Sequence, residues 1–118
     1  MNPLSWSYRN ETPIQTEFSV NEYATDGNIP ATPQIAVIRK ATAATMTMDK
    51  PVRDGMNMVI ASSTAAAHQV TCTTGIDDGV TGGPKSTLTF PAFAGASISL
   101  VAIGNRWTVT FRNNVTVS

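Results

Sequence analysis

Between Ile98 and Phe111 the chain alternates on either side of Gly104-Asn105, and that alternation writes out a β-hairpin with its register. Gly-Asn between two strand-like runs fits a two-residue loop of the I′ or II′ type. Pairing Ile103 with Arg106 sets Ala102 opposite Trp107, Leu100 opposite Val109 and Ile98 opposite Phe111. Those residues are apolar or small and share one face by the two-residue period of a strand. The other face carries Ser99, Thr108 and Thr110, which tolerate water, together with Val101.

Upstream, strand signals come at short spacing. Ile35 to Thr42 holds the run Ile-Ala-Val-Ile, Thr45 to Met48 alternates, and Lys50 to Gly55 reads as a turn. Met56, Met58 and Ile60 share a face in the next run; Ala61 to Ala67 is a Ser/Ala connector with room for a short helical turn. His68, Val70 and Cys72 fall on one side of His68 to Thr74, with Gln69, Thr71 and Thr73 on the other. A Gly-rich loop follows from Thr74 to Lys85, then Leu88 and Phe90 share a face before Pro91 stops or bends the strand. Threonine and β-branched residues suit a pleated, half-buried surface. Short strands with a turn about every ten residues predict an all-β fold, a small antiparallel sandwich or barrel closed by the C-terminal hairpin. No repeat is long enough to argue for a solenoid, and the strand order is not legible.

Residues 1–34 differ. Pro3, Pro13, Pro30, Pro33 and the turn signal Asp26-Gly27-Asn28 break any period, yet Trp6, Tyr8, Phe18 and Tyr23 are four of the eight aromatic residues. The expected organisation is an extended, irregular N-terminal arm over 1–34 and a β-domain over 35–118. Two readings of the arm stay open. It packs on the β body as irregular structure and edge strands, or it orders on a partner with its aromatics as anchors.

Composition narrows the partners. At 118 residues the chain can bury a core without staples. Charged residues make up 14%, well under the roughly 25% usual for soluble domains, and the formal net charge is zero. That balance lacks the footprint of a nucleic-acid binder and gives little colloidal repulsion. Cys72 is the sole cysteine, so no disulfide forms within the chain, which suits assembly in a reducing compartment and leaves open a secreted protein without disulfides. Met1-Asn-Pro-Leu-Ser-Trp6 has no basic segment followed by an apolar run, and no stretch approaches the length of a membrane-spanning helix.

Candidate chemistry is sparse, and the expectation is a protein with no catalytic residues, metal or cofactor. His68 is the sole histidine and shares a face with Cys72, but four residues along a strand span about 13 Å, too far for a thiolate–imidazolium pair. One His and one Cys cannot fill a zinc site within a chain. Asp77 and Asp78 in the Gly-rich loop match no calcium motif, and adjacent side chains diverge in extended chain. Gly82 to Ser86 lacks the spacing of a phosphate loop. Glu11, Glu17 and Glu22 lie in the arm, where nothing fixes their separation for glycoside chemistry. Met46, Met48, Met56 and Met58 suggest a methionine patch on two neighbouring strands, either soft core or an adaptable contact between subunits. Arg39-Lys40 and Lys50 with Arg53 are too sparse for a nucleic-acid face.

Ala61 to Gly75, then Ser86-Thr-Leu-Thr-Phe90, then Gly95 to Val109 with the closing Asn113-Asn114-Val-Thr-Val117, together resemble a pattern of bacteriophage virion β-structural proteins. In that pattern small residues and a His open an alternating Val/Thr strand, a Thr-Leu-Thr-Phe strand follows, and a hairpin ends in Trp. Ala92 to Leu100 is also similar to the end of the lambda-type head decoration protein, from which this chain departs by continuing through a further hairpin. The resemblance covers about the last 60 residues. It implies a non-enzymatic capsid decoration (cement) protein on the outer surface of the phage head, assembled in the host cytoplasm as a homotrimer on the major capsid protein. Trp6, Tyr8, Phe18 and Tyr23 would then be the contact residues. The alternative is a tail or head fibre domain that binds the host cell surface. A small β-barrel enzyme would need catalytic groups from across a subunit interface.

Overall fold

The computed structural model describes residues 19–80 and 82–118. Among them the chain is all-β, as its alternation predicts, with ten strands and no helix. In chain order these are β1 (Ser19–Tyr23), β2 (Gly27–Ile29), β3 (Gln34–Ile38), β4 (Thr45–Met48) and β5 (Asn57–Ser62). There follow β6 (Gln69–Asp77), β7 (Lys85–Thr89), β8 (Ser97–Ile103), β9 (Arg106–Asn113) and β10 (Thr116–Val117). They form one nearly closed, barrel-like sheet in the order β1-β3-β5-β8-β9-β6-β4-β2, with β7 on β6 and β10 on β7.

The expectation of antiparallel pairing holds for only part of this sheet. Five of the nine pairings are parallel: β1 with β3, β3 with β5, β2 with β4, β4 with β6, and β6 with β9. The reason lies in the path of the chain. From β1 to β6 each strand pairs with the next but one, so the chain alternates between two walls as it advances. A parallel pair needs a long crossover, and the strand on the opposite wall supplies it. Gln34 meets Met58 and Thr45 meets Gln69, both steps of 24 residues. The step from β1 to β3 is 15 (Ser19 to Gln34) and that from β2 to β4 is 19 (Gly27 to Met46), so no constant period marks the winding.

Antiparallel strands finish both walls. On one, β8 pairs β5 and β9 pairs β8; on the other, β7 pairs β6 and β10 pairs β7. The hairpin turns at Gly104 and Asn105, both with φ near +60°, as a type I′ turn requires. A hydrogen bond from Gly104 N to Asp54 Oδ1 at 2.9 Å ties its tip to the β4–β5 turn.

Inward positions of the two walls make a single core. Ala36, Ile60 and Ile98 form one inward row, and Met46, Val70, Leu88 and Val117 another; all are buried. Trp107 is fully buried, and its indole N–H donates to Asp49 O at 2.9 Å, so its one polar atom is satisfied. The four methionines singled out above are all buried. Their strands β4 and β5 are not neighbours, which corrects that expectation: they lie on opposite walls and join in the shared core as soft filling.

Residues 19–34, grouped with the arm from sequence, contribute β1 and β2 to the two walls, and Ile29, Ala31 and Gln34 to the buried set. Among the described residues this is the edge-strand reading. Trp6, Tyr8 and Phe18 lie outside the described residues.

Candidate functional site

At one end of the sheet the bends after β1, β3 and β5 (24–26, 39–44 and 63–68) are hydrogen-bonded in succession, and His68 sits in the third of them. His68 is fully buried. Its Nδ1 accepts the Ala44 backbone N–H at 2.9 Å, so Nδ1 carries no proton. The Thr64 hydroxyl donates to Lys40 O at 2.7 Å, which leaves its oxygen to accept from His68 Nε2 at 2.8 Å. This network assigns a neutral imidazole protonated on Nε2: Nδ1 joins the third bend (63–68) directly to the second (39–44), and Nε2 braces Thr64, whose hydroxyl makes the second link. Burial, and then the Lys40 ammonium, push its pKa below the ordinary 6.5. A base of a hydrolase needs a free nitrogen facing a nucleophile, whereas this ring is a structural tie.

In the first of these bends Asp26 plays the matching part. Its Oδ1 accepts from Lys40 Nζ at 2.9 Å and from the Thr45 backbone N–H at 3.0 Å. These two bonds, the lysine's first, hold its carboxyl below the ordinary carboxylate value. Asp26 thus fastens the first bend to the second, and His68 with Thr64 fastens the third to the second.

The acidic pair of the Gly-rich loop does not converge. Asp77 pairs with Arg106 across the β6–β9 junction at 3.1 Å. Asp78 turns back to Lys85 at 3.3 Å and accepts the Val80 N–H at 3.2 Å. Burial raises the Asp78 pKa, and the Val80 N–H and Lys85 more than offset it, leaving it lowered overall. Each carboxylate closes its own junction. Cys72 is buried with its sulfur 3.2 Å from Thr74 Oγ1. No group of three or more metal-ligating side chains lies together among the described residues.

Tyr23 is the one candidate contact residue within the described part. It is half-buried against the core, and its hydroxyl donates to Gln34 Oε1 at 2.9 Å. Gln34 is itself buried, also accepts from Asn21 Nδ2 at 2.9 Å and donates to Pro30 O at 2.9 Å. In this structure Tyr23 fastens β1 to β3.

The features that alternation alone did not reveal are the outer faces of the two walls, because strand order decides which residues stand side by side. On the wall β2-β4-β6-β7 the outward row is Asn28, Thr47, Thr71 and Thr87, and the row beside it on β4, β6, β7 and β10 is Thr45, Gln69, Thr89 and Thr116. Both rows are uncharged and hydrogen-bonding. On the wall β1-β3-β5-β8-β9 the equivalent row is Val20, Ile35, Val59, Ser99 and Phe111. Its two ends stand far out of the surface, Val20 at 59% exposure and Phe111 at 63%. Two chemically opposite faces thus lie on one small domain.

Phe111 reaches this row through a β-bulge. Leu100 pairs Val109 as the alternation predicts, but the register shifts there, so Ser99 rather than Ile98 pairs with Phe111. Thr110 is the extra residue, and its hydroxyl donates to Ser99 O at 3.1 Å. The expected Ile98–Phe111 pair is therefore broken, and the phenylalanine turns from the core to the outer face.

No protein-family model matches the chain, and no curated protein matches it.

Proposed function

We propose that this protein acts through its surfaces as a non-enzymatic structural component of a bacteriophage virion, a decoration protein that binds the outside of the head and stabilises it. The observation that carries the reading is the outward apolar row Val20, Ile35, Val59, Ser99 and Phe111 on a chain whose formal net charge is zero. A contiguous exposed apolar face marks a site meant to be covered. The locked imidazole of His68 supports the same reading, since the group best suited to acid–base chemistry near neutral pH is spent on the frame.

The mechanism is mechanical. A β body held as a homotrimer would sit where major capsid subunits meet, with residues 1–18 supplying aromatic and main-chain contacts through Trp6, Tyr8 and Phe18. Many modest contacts over a shell add up through multivalency. A second reading, a fibre domain that binds the host surface, draws on Phe93, which stands 72% exposed in the loop after β7. Co-sedimentation separates the two. The decoration reading expects the protein to pellet with DNA-free phage heads and not with bacterial envelope fragments; the reverse pattern favours the fibre domain and overturns the first reading.

A further inference from the structure

We infer that residues 1–18 of this chain cover the wall β1-β3-β5-β8-β9 in the free protein, with Leu4, Trp6 and Tyr8 on its apolar row. The inference deepens the proposed function by naming what occupies the wall before a head is met. It rests on that reading only for the release of the segment on the head.

The point of attachment favours this segment over any outside partner. It joins the sheet at Ser19, the start of β1, which is the outermost strand of this wall and carries the first residue of the row, Val20. The row crosses four strand spacings of about 4.8 Å, so it is about 19 Å wide. Tyr8 stands eleven residues before Ser19, a length of about 36 Å when extended at about 3.3 Å per residue. Leu4, Trp6 and Tyr8 can therefore reach every strand of the wall, and Asn10 and Pro13 suit the turn that brings the chain back over it. A segment tied to its own docking face meets it at an effective concentration on the order of mM, which a separate partner has to outcompete.

The chemistry is matched. Val20, Ile35, Val59 and Phe111 stand in register with only Ser99 between them, and no charge interrupts the row. In the row beside it the single charged residue is Glu22, already paired with Arg39 at 2.8 Å. Leu4-Ser-Trp-Ser-Tyr8 is likewise uncharged, and in extended chain its three large apolar residues share one side while Ser5 and Ser7 take the other. The opposite wall presents Thr, Gln and Asn, which offer such a run no apolar surface to bury. The β-bulge belongs to this design, because it turns Phe111 outward and puts an aromatic ring at the far end of the row for another to pack on.

Size points the same way. Five strands about 4.8 Å apart, over five residues of about 3.3 Å each, give a face on the order of 400 Å². That is about half of what each partner buries in a specific contact between separate proteins. A tryptophan and a tyrosine bury about 150–250 Å² each, so the large side chains of one tethered segment suffice to cover the face. On a head, the capsid surface takes the segment's place and frees Trp6 and Tyr8 for contacts of their own.

The test uses the full chain without heads, labelled with fluorotryptophan. Its two resonances, Trp6 and Trp107, report solvent access through their shift between light and heavy water, with Trp107 as the reference for an intact core. Nuclear Overhauser contacts from the Trp6 ring to the Ile35 and Val59 methyl groups are recorded on the same protein. Val20→Asp and Phe111→Asp alter exposed positions of the apolar wall, and Thr47→Asp alters the threonine wall. The expected result is a shielded Trp6 touching both methyl groups in the wild type and in Thr47→Asp, unchanged over a tenfold concentration range. In Val20→Asp and Phe111→Asp the contacts are lost and the solvent shift of Trp6 grows severalfold. A wild type whose Trp6 is as open as in the wall variants overturns the inference. So does shielding that grows with concentration, which marks a contact between copies, or shielding that survives in both folded wall variants. Head binding is scored separately. A chain that shows the contact but ignores heads removes only the virion reading, and one that binds heads with Trp6 never on the wall removes only this inference.

Discussion

Phe111 pairs with Ser99 and not with Ile98, so one extra residue in β9 sends a large aromatic outward while Trp107, four residues earlier, stays in the core. The two aromatics of one strand should therefore differ sharply in what they contribute to stability. Phe111→Ala is expected within about 0.5 kcal/mol of the wild type, as for exposed positions generally, and Trp107→Ala to lose about 3–5 kcal/mol. Urea unfolding of both variants checks this. Equal losses would place Phe111 in the core and remove the bulge from the account.

His68 gives the fold a pH dependence whose sign follows from its network. Its folded-state pKa lies below the ordinary 6.5, so the unfolded chain takes up the proton more readily. The resulting stability is complete above about pH 6.5 and is lost as the pH falls below it. The stability from Asp26 and Asp78, whose pKa values are lowered, is fully present above the usual carboxylate range and is lost only as the pH falls through and below it, so the interval from about pH 8 to 5 isolates the histidine. Urea midpoints should fall across that interval in the wild type and stay level in His68→Gln. A level wild-type curve would contradict the assigned neutral imidazole.

Gln34 holds the outermost strand of the apolar wall. Gln34→Leu keeps the volume but leaves Asn21 Nδ2 and Tyr23 Oη without their shared acceptor. Losing such bonds costs about 1–3 kcal/mol, concentrated in β1. Hydrogen exchange should become about tenfold faster or more for the β1 amides, with little change in β8 or β9. Uniform acceleration over the whole sheet would show that β1 does not open as a local unit.

The hydrogen-bonded bends predict a further local effect. Thr64→Val removes the hydroxyl that accepts from His68 and donates to Lys40 O. A buried imidazole N–H then lacks a partner, and the expected loss is about 1–3 kcal/mol. Adding Thr64→Val to His68→Gln should cost much less than it does alone, because both residues serve the same tie. A double-mutant cycle by urea unfolding measures that coupling, and strict additivity would refute it.

The parts of this fold that were legible in sequence are those governed by short-range alternation. Strands β4, β7, β8 and β9, the turn at Gly104-Asn105 and the first cross-strand pairs of its hairpin all follow from period-two patterning and turn chemistry. The bulge was hidden because Thr110 suits either face of a strand. The winding between walls was hidden because its steps of 15, 19 and 24 residues share no period. The threonines at 45, 47, 71, 87 and 89 could be read as solvent-facing one strand at a time, but their assembly into a single face depends on strand order. The apolar wall was harder still. Ile35, Val37 and Val59 look like core residues in any linear reading, and only the pairing shows that the buried partners are their neighbours Ala36, Met58 and Ile60.

The claim that this protein works by covering a phage head is tested most directly by comparing the full chain with one lacking residues 1–18, which leaves β1 intact from Ser19. Binding of both to DNA-free heads would be followed by co-sedimentation. The full chain is expected to saturate the heads at a fixed number of copies, and the folded, shortened chain to stay in the supernatant. Full-strength binding by the shortened chain would contradict the assigned role of the arm, and failure of the full chain to bind would contradict the function itself.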